Sequence, residues 1–247
     1  MLASYGTIGN ADNTLRAFRD LAEEGMAPVG ESLGHKDGWG IVCYAKGMPK
    51  ELGRQPSNAM ADDLYVNALD EAVRLRPSIL IAHLRKASPG IEISLENTQP
   101  LQNGSWSFAH NGTIWSHSFR LGGHSDSIIF FEKLLENVQR RSDSDTLTQR
   151  ILEAVAQLRK AILDNPDSKG RTYTSITFIL SDGNSMWVLR DCNDDRDKDY
   201  YTMHYLHSEN YILFCQQKII PGKWESIENK TMAIVNPDNE LNIVECL

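Results

Sequence analysis

An asparagine stands directly before a glycine at Asn111-Gly112, inside the run Phe108-Ala-His-Asn-Gly112. Such a pair can offer two donors to one oxygen: the asparagine side-chain amide, and a glycine N–H that no Cβ obstructs. Chemistry that builds negative charge on a carbonyl oxygen needs this arrangement, and one good donor contributes roughly 3–4 kcal/mol there. Arg85, in Ala82-His-Leu-Arg-Lys-Ala87, offers the planar fork that suits a carboxylate, which a lysine does not. Asp126, in Ser125-Asp-Ser127, offers a fixed carboxylate for an ammonium group. Together these residues suit a small amino acid bearing a side-chain amide. Two further segments, His35-Lys-Asp-Gly-Trp-Gly40 and Asn97-Thr-Gln-Pro100, complete the set.

Each segment taken alone has an ordinary explanation. Asn-Gly is the favoured pair for a hairpin turn. Ser125-Asp126 before an apolar-periodic run can cap a helix, and Ser125 or Ser127 can do so while Asp126 points into a site. Arg85 can form a surface ion pair, and His83 and His110 can be satisfied core histidines. His35, His83 and His110 lack the H-E-x-x-H pair or carboxylate–histidine cluster of a metal hydrolase, so no metal and no cofactor is expected. Taking Asp195 as the first position of a calcium loop puts Tyr200 where glycine is needed and Leu206 where a glutamate belongs. The acidic stretch from Asp191 to Asp199 therefore reads as a solvated loop.

The positioning elements follow from periodicity. Residues 12–24 read as a helix with Leu15, Phe18, Leu21 and Ala22 on one face, and 62–75 as another with Tyr65, Leu69, Ala72 and Val73. Two central helices carry Ile128, Phe131, Leu135 and Val138, then Leu147, Ile151, Val155, Leu158 and Ile162. Strands are predicted at 40–45, 78–83 and 106–109, then through the alternating Thr174, Ile176, Phe178 and Leu180. Asp182-Gly183 is a hairpin turn leading into 186–189, with further strands at 200–206, 210–215, 231–235 and 240–245. Strands, two central helices and strands again predict two stacked sheets with helices outside them.

With 41% hydrophobic and 23% charged residues, the 247-residue chain can bury a sizeable core, and it reads as one domain over 1–247. Its net charge of −8 and scattered Lys and Arg argue against nucleic acid or an anionic membrane as partner. Four cysteines without a CxxC pair, no long apolar run and no signal-peptide pattern predict a cytoplasmic protein.

The five segments, in this order, resemble the glutaminase domain of the class II (N-terminal nucleophile) glutamine amidotransferases. They are closest to a stand-alone branch with H-K-D-G-W-G, A-H-x-R, N-T-x-P and A-H-N-G blocks, and Ile220-Pro-Gly-Lys-Trp-Glu225 and Met232-Ala-Ile-Val235 extend the match. The resemblance implies an α+β fold, the four-layer αββα sandwich of the N-terminal nucleophile hydrolases. It implies Asn111 and Gly112 as the oxyanion hole, Arg85 with Ser88 nearby for a substrate α-carboxylate, and Asp126 for its α-amino group. Trp39 and Asp37 would shape the site from the adjoining turn. The implied partners are a small-molecule substrate, glutamine or another γ-glutamyl compound, and a separate synthase or acceptor subunit. Gln99 replaces the histidine that many relatives carry in the N-x-H-P block, which argues against proton transfer at this position.

The family nucleophile is a cysteine at position 1 of the mature chain, activated by its own α-amine. Here residue 2 is Leu2, and Cys43 is the first cysteine, inside a strand pattern. Related chains often begin Met-Cys-Arg-(Met or Leu)-Leu-Ala, so the expectation is that Met1-Leu2-Ala3 follows directly on Met-Cys-Arg. The alternative expectation is a catalytically inactive glutamine-binding or regulatory module of the same fold.

Overall fold

A computed structural model describes residues 1–45, 47–119, 124–140 and 146–246. Its first half runs β1 (Leu2–Gly6), α1 (Ala11–Glu24), β2 (Trp39–Ala45), β3 (Met48–Gln55), α2 (Asp63–Leu75), β4 (Ile79–Leu84), β5 (Leu101–Asn103) and β6 (Trp106–Asn111). Two helices, α3 (Asp126–Gln139) and α4 (Leu147–Asp164), sit in the middle. The second half is β7 (Thr177–Ser181), β8 (Met186–Arg190), β9 (His204–His207), β10 (Tyr211–Cys215), β11 (Trp224–Ser226), β12 (Thr231–Val235) and β13 (Leu241–Glu245).

The strands form two antiparallel sheets, ordered β11-β9-β10-β1-β4-β2-β3 and β13-β12-β8-β7-β6-β5. Three apolar clusters separate four layers. Leu15, Phe18, Tyr65 and Leu69 of α1 and α2 pack on Leu2, Ile41, Ala82 and Leu213 of the first sheet. Ala3, Val42, Ile81 and Phe214 on its other face meet Ala109, Ile179, Val188 and Ala233 of the second sheet. Phe108, Phe178, Trp187 and Leu189 then face α3 and α4. The predicted αββα layering is the observed one, because period-2 strands buried on both faces need apolar partners on both sides.

The central strand β1 sets the geometry of the site. Leu2 pairs with Cys215 of β10 and with Ala82 of β4, all three facing the helices. One register step further, Met1 lies beside Gln216 and His83, and this row faces the second sheet. The end of β6 at Asn111 meets that row from the opposite sheet.

Several expectations are corrected. The edge strand β3, Met-Pro-Lys-Glu-Leu-Gly-Arg-Gln, is not among the predicted strands, because it has no apolar alternation and none of its residues is fully buried. The α3 stripe is wider than predicted: Ile129, Phe130 and Leu134 are buried while Ile128 is only partly covered, since α3 packs on α4 as well as on the sheet. Val73 is 37% exposed rather than on the buried face of α2. The strand predicted from residue 200 starts at His204, because Tyr201 N donates to Asp197 O and Thr202 Oγ1 to Lys198 O, closing a turn first. No helix of the described residues is long and apolar enough to cross a membrane.

Candidate active site

A cavity lies where β1, β4 and β10 of one sheet approach the end of β6 in the other, and Arg85, Ser88, Asn111, Gly112 and Asp126 all line it. Arg85 sits one residue past β4, pinned by Arg85 N donating to Gly38 O (2.7 Å) and by Asp37 N donating to Arg85 O (3.0 Å). The Asp37 carboxylate accepts from Ala87 N at 2.8 Å, so this residue braces the turn from behind. Arg85 Nη2 donates to Glu92 O (3.0 Å), while its Nη1 is buried without a partner. Burial lowers the Arg85 pKa, opposed by Asp37.

The Glu92 carbonyl also accepts from Asn97 Nδ2 (3.2 Å), and Asn97 Oδ1 accepts from Ser125 N (2.9 Å). One asparagine thus ties the arginine-bearing loop to the start of α3. Asp126 there accepts from Ser127 N (3.0 Å) and from Ile114 N, which orients its carboxylate in the first turn of the helix. Ser125 occupies the N-cap position but its side chain makes no cap bond. Its Oγ is instead buried and unpartnered, which corrects the capping expectation.

His110 is held in a closed ring. Its Nε2 faces Ser175 O at 3.2 Å and so must carry the proton, leaving Nδ1 to accept from Ser127 Oγ at 2.9 Å. Gln99 Nε2 donates to Ser127 Oγ (3.1 Å), and Gln99 Oε1 accepts from His110 N (2.6 Å). Gln99 therefore works as a two-ended bridge that needs no titration.

Asn111 Nδ2 donates to Gln216 Oε1 (3.2 Å), and Ser88 Oγ lies 3.0 Å from Thr113 Oγ1. Gly112 has a φ of +152°, and a Cβ there would sit 1.8 Å from Ser175 O. Only glycine lets the backbone pass this close to β7's lead-in. Tyr200, also at the cavity, stacks on His35 (6.1 Å between centroids, 9° between planes).

Trp39 is not brought to the site. Its ring is fully buried under α1 and α2, with Nε1 donating to Asp62 Oδ2 (2.9 Å) and its edge on Tyr65. Among residues the sequence reading missed, Gln216 had a findable signal: a polar residue continuing the inward row of Ile212 and Phe214. Cys215 also lines the cavity, but burial raises its thiol pKa, the reverse of an activated nucleophile.

Four buried polar atoms without partners belong to residues lining this one cavity: His83 Nδ1, Arg85 Nη1, Ser125 Oγ and Gln216 Nε2. Buried polar groups are normally satisfied, so their convergence marks a place built for a polar ligand. Among the described residues no group of three or more His, Cys, Asp and Glu could hold a metal ion.

Burial keeps three histidines neutral. His35 is pushed down to about 4, and His83 and His110 are lowered as well. A histidine with a depressed folded pKa binds fewer protons folded than unfolded, so its stabilisation is complete above about 6.5 and lost as pH falls. The thermal unfolding midpoint is therefore expected to drop steadily from pH 6.5 to 5, before most carboxylates titrate; a flat profile there contradicts neutral burial.

A family model described as glutamine amidotransferases class-II matches residues 17–210. The YafJ protein of Escherichia coli (strain K12) is 27% identical over 237 residues, covering 81% of this chain and 88% of its own. The gamma-glutamyl-hercynylcysteine sulfoxide hydrolase of Mycobacterium tuberculosis (strain H37Rv) is 30% identical over 96 residues, 38% of this chain and 40% of its own. Among solved structures, the glutamine phosphoribosylpyrophosphate amidotransferase of B. subtilis superposes with a TM-score of 0.64 at 16% identity over 100% of this chain. The chain spans about half the length of that structure, 49%.

Proposed function

The chain belongs to the class II glutamine amidotransferases, and on that premise we propose that it hydrolyses a γ-glutamyl amide, glutamine or a substituted relative, to glutamate and ammonia or an amine. The observation that carries this reading is the set of four unpartnered polar atoms around Asn111, Gly112 and Asp126. Arg85 Nη1 is a spare, desolvated donor suited to the α-carboxylate, and Asp126 offers a fixed carboxylate to the α-ammonium. Asn111 Nδ2 and Gly112 N serve the oxyanion.

The nucleophile in this reading is a cysteine thiolate two residues ahead of Met1. The β1 register supports it. Continued outward, that residue falls opposite Arg85 and on the same face as Met1, because side chains alternate. Its sulfur attacks the γ-carbonyl carbon, and its free α-amine takes the thiol proton and returns it to the leaving nitrogen. The C–N bond breaks to give a γ-glutamyl thioester. Water then adds, the C–S bond breaks, and the thiol is restored with glutamate.

A second feature bears on the substrate. A wider groove opens from Asn111 and Gly112 past Asp126 towards Trp115, Arg171 and Arg196, with the Arg171 guanidinium 4.7 Å from the Trp115 ring centroid. Ammonia needs no such space, whereas a substituted leaving amine does. That favours γ-glutamyl amides larger than glutamine, in keeping with the name of the mycobacterial relative.

The test is turnover by a chain extended with Met-Cys-Arg ahead of Met1 and freed of that leading Met, so that the cysteine bears the α-amine, with glutamate and amine release measured on glutamine and on N-substituted γ-glutamyl amides. Turnover of either is expected. Binding of glutamine without turnover would instead support an inactive binding module, and absence of an in-frame cysteine codon upstream in the gene would remove the proposed nucleophile.

A further inference from the structure

An asparagine amide can present either its oxygen or its nitrogen to a neighbour, and an oxyanion hole works only in one sense. The Met1 nitrogen has no such freedom: as an α-ammonium, or as a peptide N–H once residues precede it, it donates. The Met1 α-ammonium donates to Gln216 Oε1 (3.0 Å), and Gln216 N donates back to Met1 O (3.3 Å). That pairing fixes the Gln216 amide with its oxygen towards β1. The same Oε1 then accepts Asn111 Nδ2 at 3.2 Å. Turning the Asn111 amide over would set its oxygen against Gln216 Oε1, acceptor against acceptor.

We infer that Gln216 is the positioning residue that fixes the sense of the Asn111 amide, holding one of its two hydrogens and leaving the other on the cavity side, where the Tyr200 hydroxyl also reaches the amide. Gln216 is only 8% exposed, and its Nε2 stands unpartnered at the same cavity wall, so little else holds the side chain there. The nitrogen of Met1, just ahead of β1, thereby sets the polarity of a side chain on the opposite sheet. This inference rests on the amide-hydrolase reading of the site, but one arm of its test does not depend on activity.

In the cysteine-bearing chain, Gln216→Met is expected to lower kcat by about 10- to 100-fold with little change in KM. In a double-mutant cycle, adding Gln216→Met to Asn111→Ala is expected to cost clearly less than Gln216→Met costs in the parent, since its effect on kcat runs through Asn111. Additive losses, or an unchanged kcat, would overturn the inference. A parent chain without turnover would count against the hydrolase reading instead. The second arm then decides: the side-chain amide resonance of Asn111, identified by its loss in Asn111→Ala, is expected to exchange slowly in the parent and quickly in Gln216→Met. Where Gln216→Met does not fold, Gln216→Glu keeps an acceptor for both donors and should keep slow exchange. Equal exchange in parent and Gln216→Met, or fast exchange in a folded Gln216→Glu, overturns the assignment.

Discussion

Asn111→Ala in the cysteine-bearing chain is expected to lower kcat by about 10²- to 10³-fold while leaving KM nearly unchanged. The reasoning runs from where charge appears. The γ-carbonyl oxygen of a bound amide is only weakly negative, and the donor gains strength as the tetrahedral intermediate forms. Removing it therefore raises the barrier more than it weakens binding, by about 3–4 kcal/mol. Asn111 ends β6 and is only half-buried, so alanine there should leave the fold intact. Steady-state kinetics beside a thermal unfolding curve separate the two effects. Near-normal kcat in a folded variant would take Asn111 out of the oxyanion role, and a large rise in KM would make it a ground-state binder.

The largest structural effect is expected at the neighbouring residue. In Gly112→Ala the new methyl would stand 1.8 Å from Ser175 O and 2.5 Å from Ser175 C, both backbone atoms. A flexible side chain could move aside, but here the lead-in to β7 would have to shift, and alanine disfavours a φ of +152° as well. A loss of roughly 3 kcal/mol or more is expected, lowering the unfolding midpoint by about 6–12 °C in a chain of this size. Gly9→Ala is the matched control, because nothing lies within 4 Å of its Cβ position. Equal midpoints for the two variants would mean that β7 yields easily, and that Gly112 is not required by packing.

The segments that carry chemistry were legible because their residue types are restrictive: a bare N–H at Gly112, a planar fork at Arg85, a fixed carboxylate at Asp126. The layered fold was legible because buried strands and helices leave different periods. What stayed hidden depended on the third dimension. Trp39 shares its segment with Asp37, yet Trp39 opens β2 on the face covered by α1 and α2 while Asp37 stays in the turn before the strand, and sequence proximity does not reveal which face a residue takes. Gln216 lies 105 residues from the asparagine it holds, and only the stacking of one sheet on the other brings them together. Ser125 looked like a cap because caps are short-range. The structure withdraws its hydroxyl from the helix and leaves Asn97 to satisfy its backbone.

The two sheets that supply this cavity are separate hydrogen-bonded ladders, stacked through Ala3, Ile81, Ala109 and Ile179. Arg85 rides on one leaf and Asn111 on the other, so the span between them is measured out by methyl groups. The small residues at Ala3 and Ala109 act as shims between two plates that each carry half of a jaw. A thicker shim at either place would open the jaw without touching any polar contact described above, and its cost would fall first on the grip of the site.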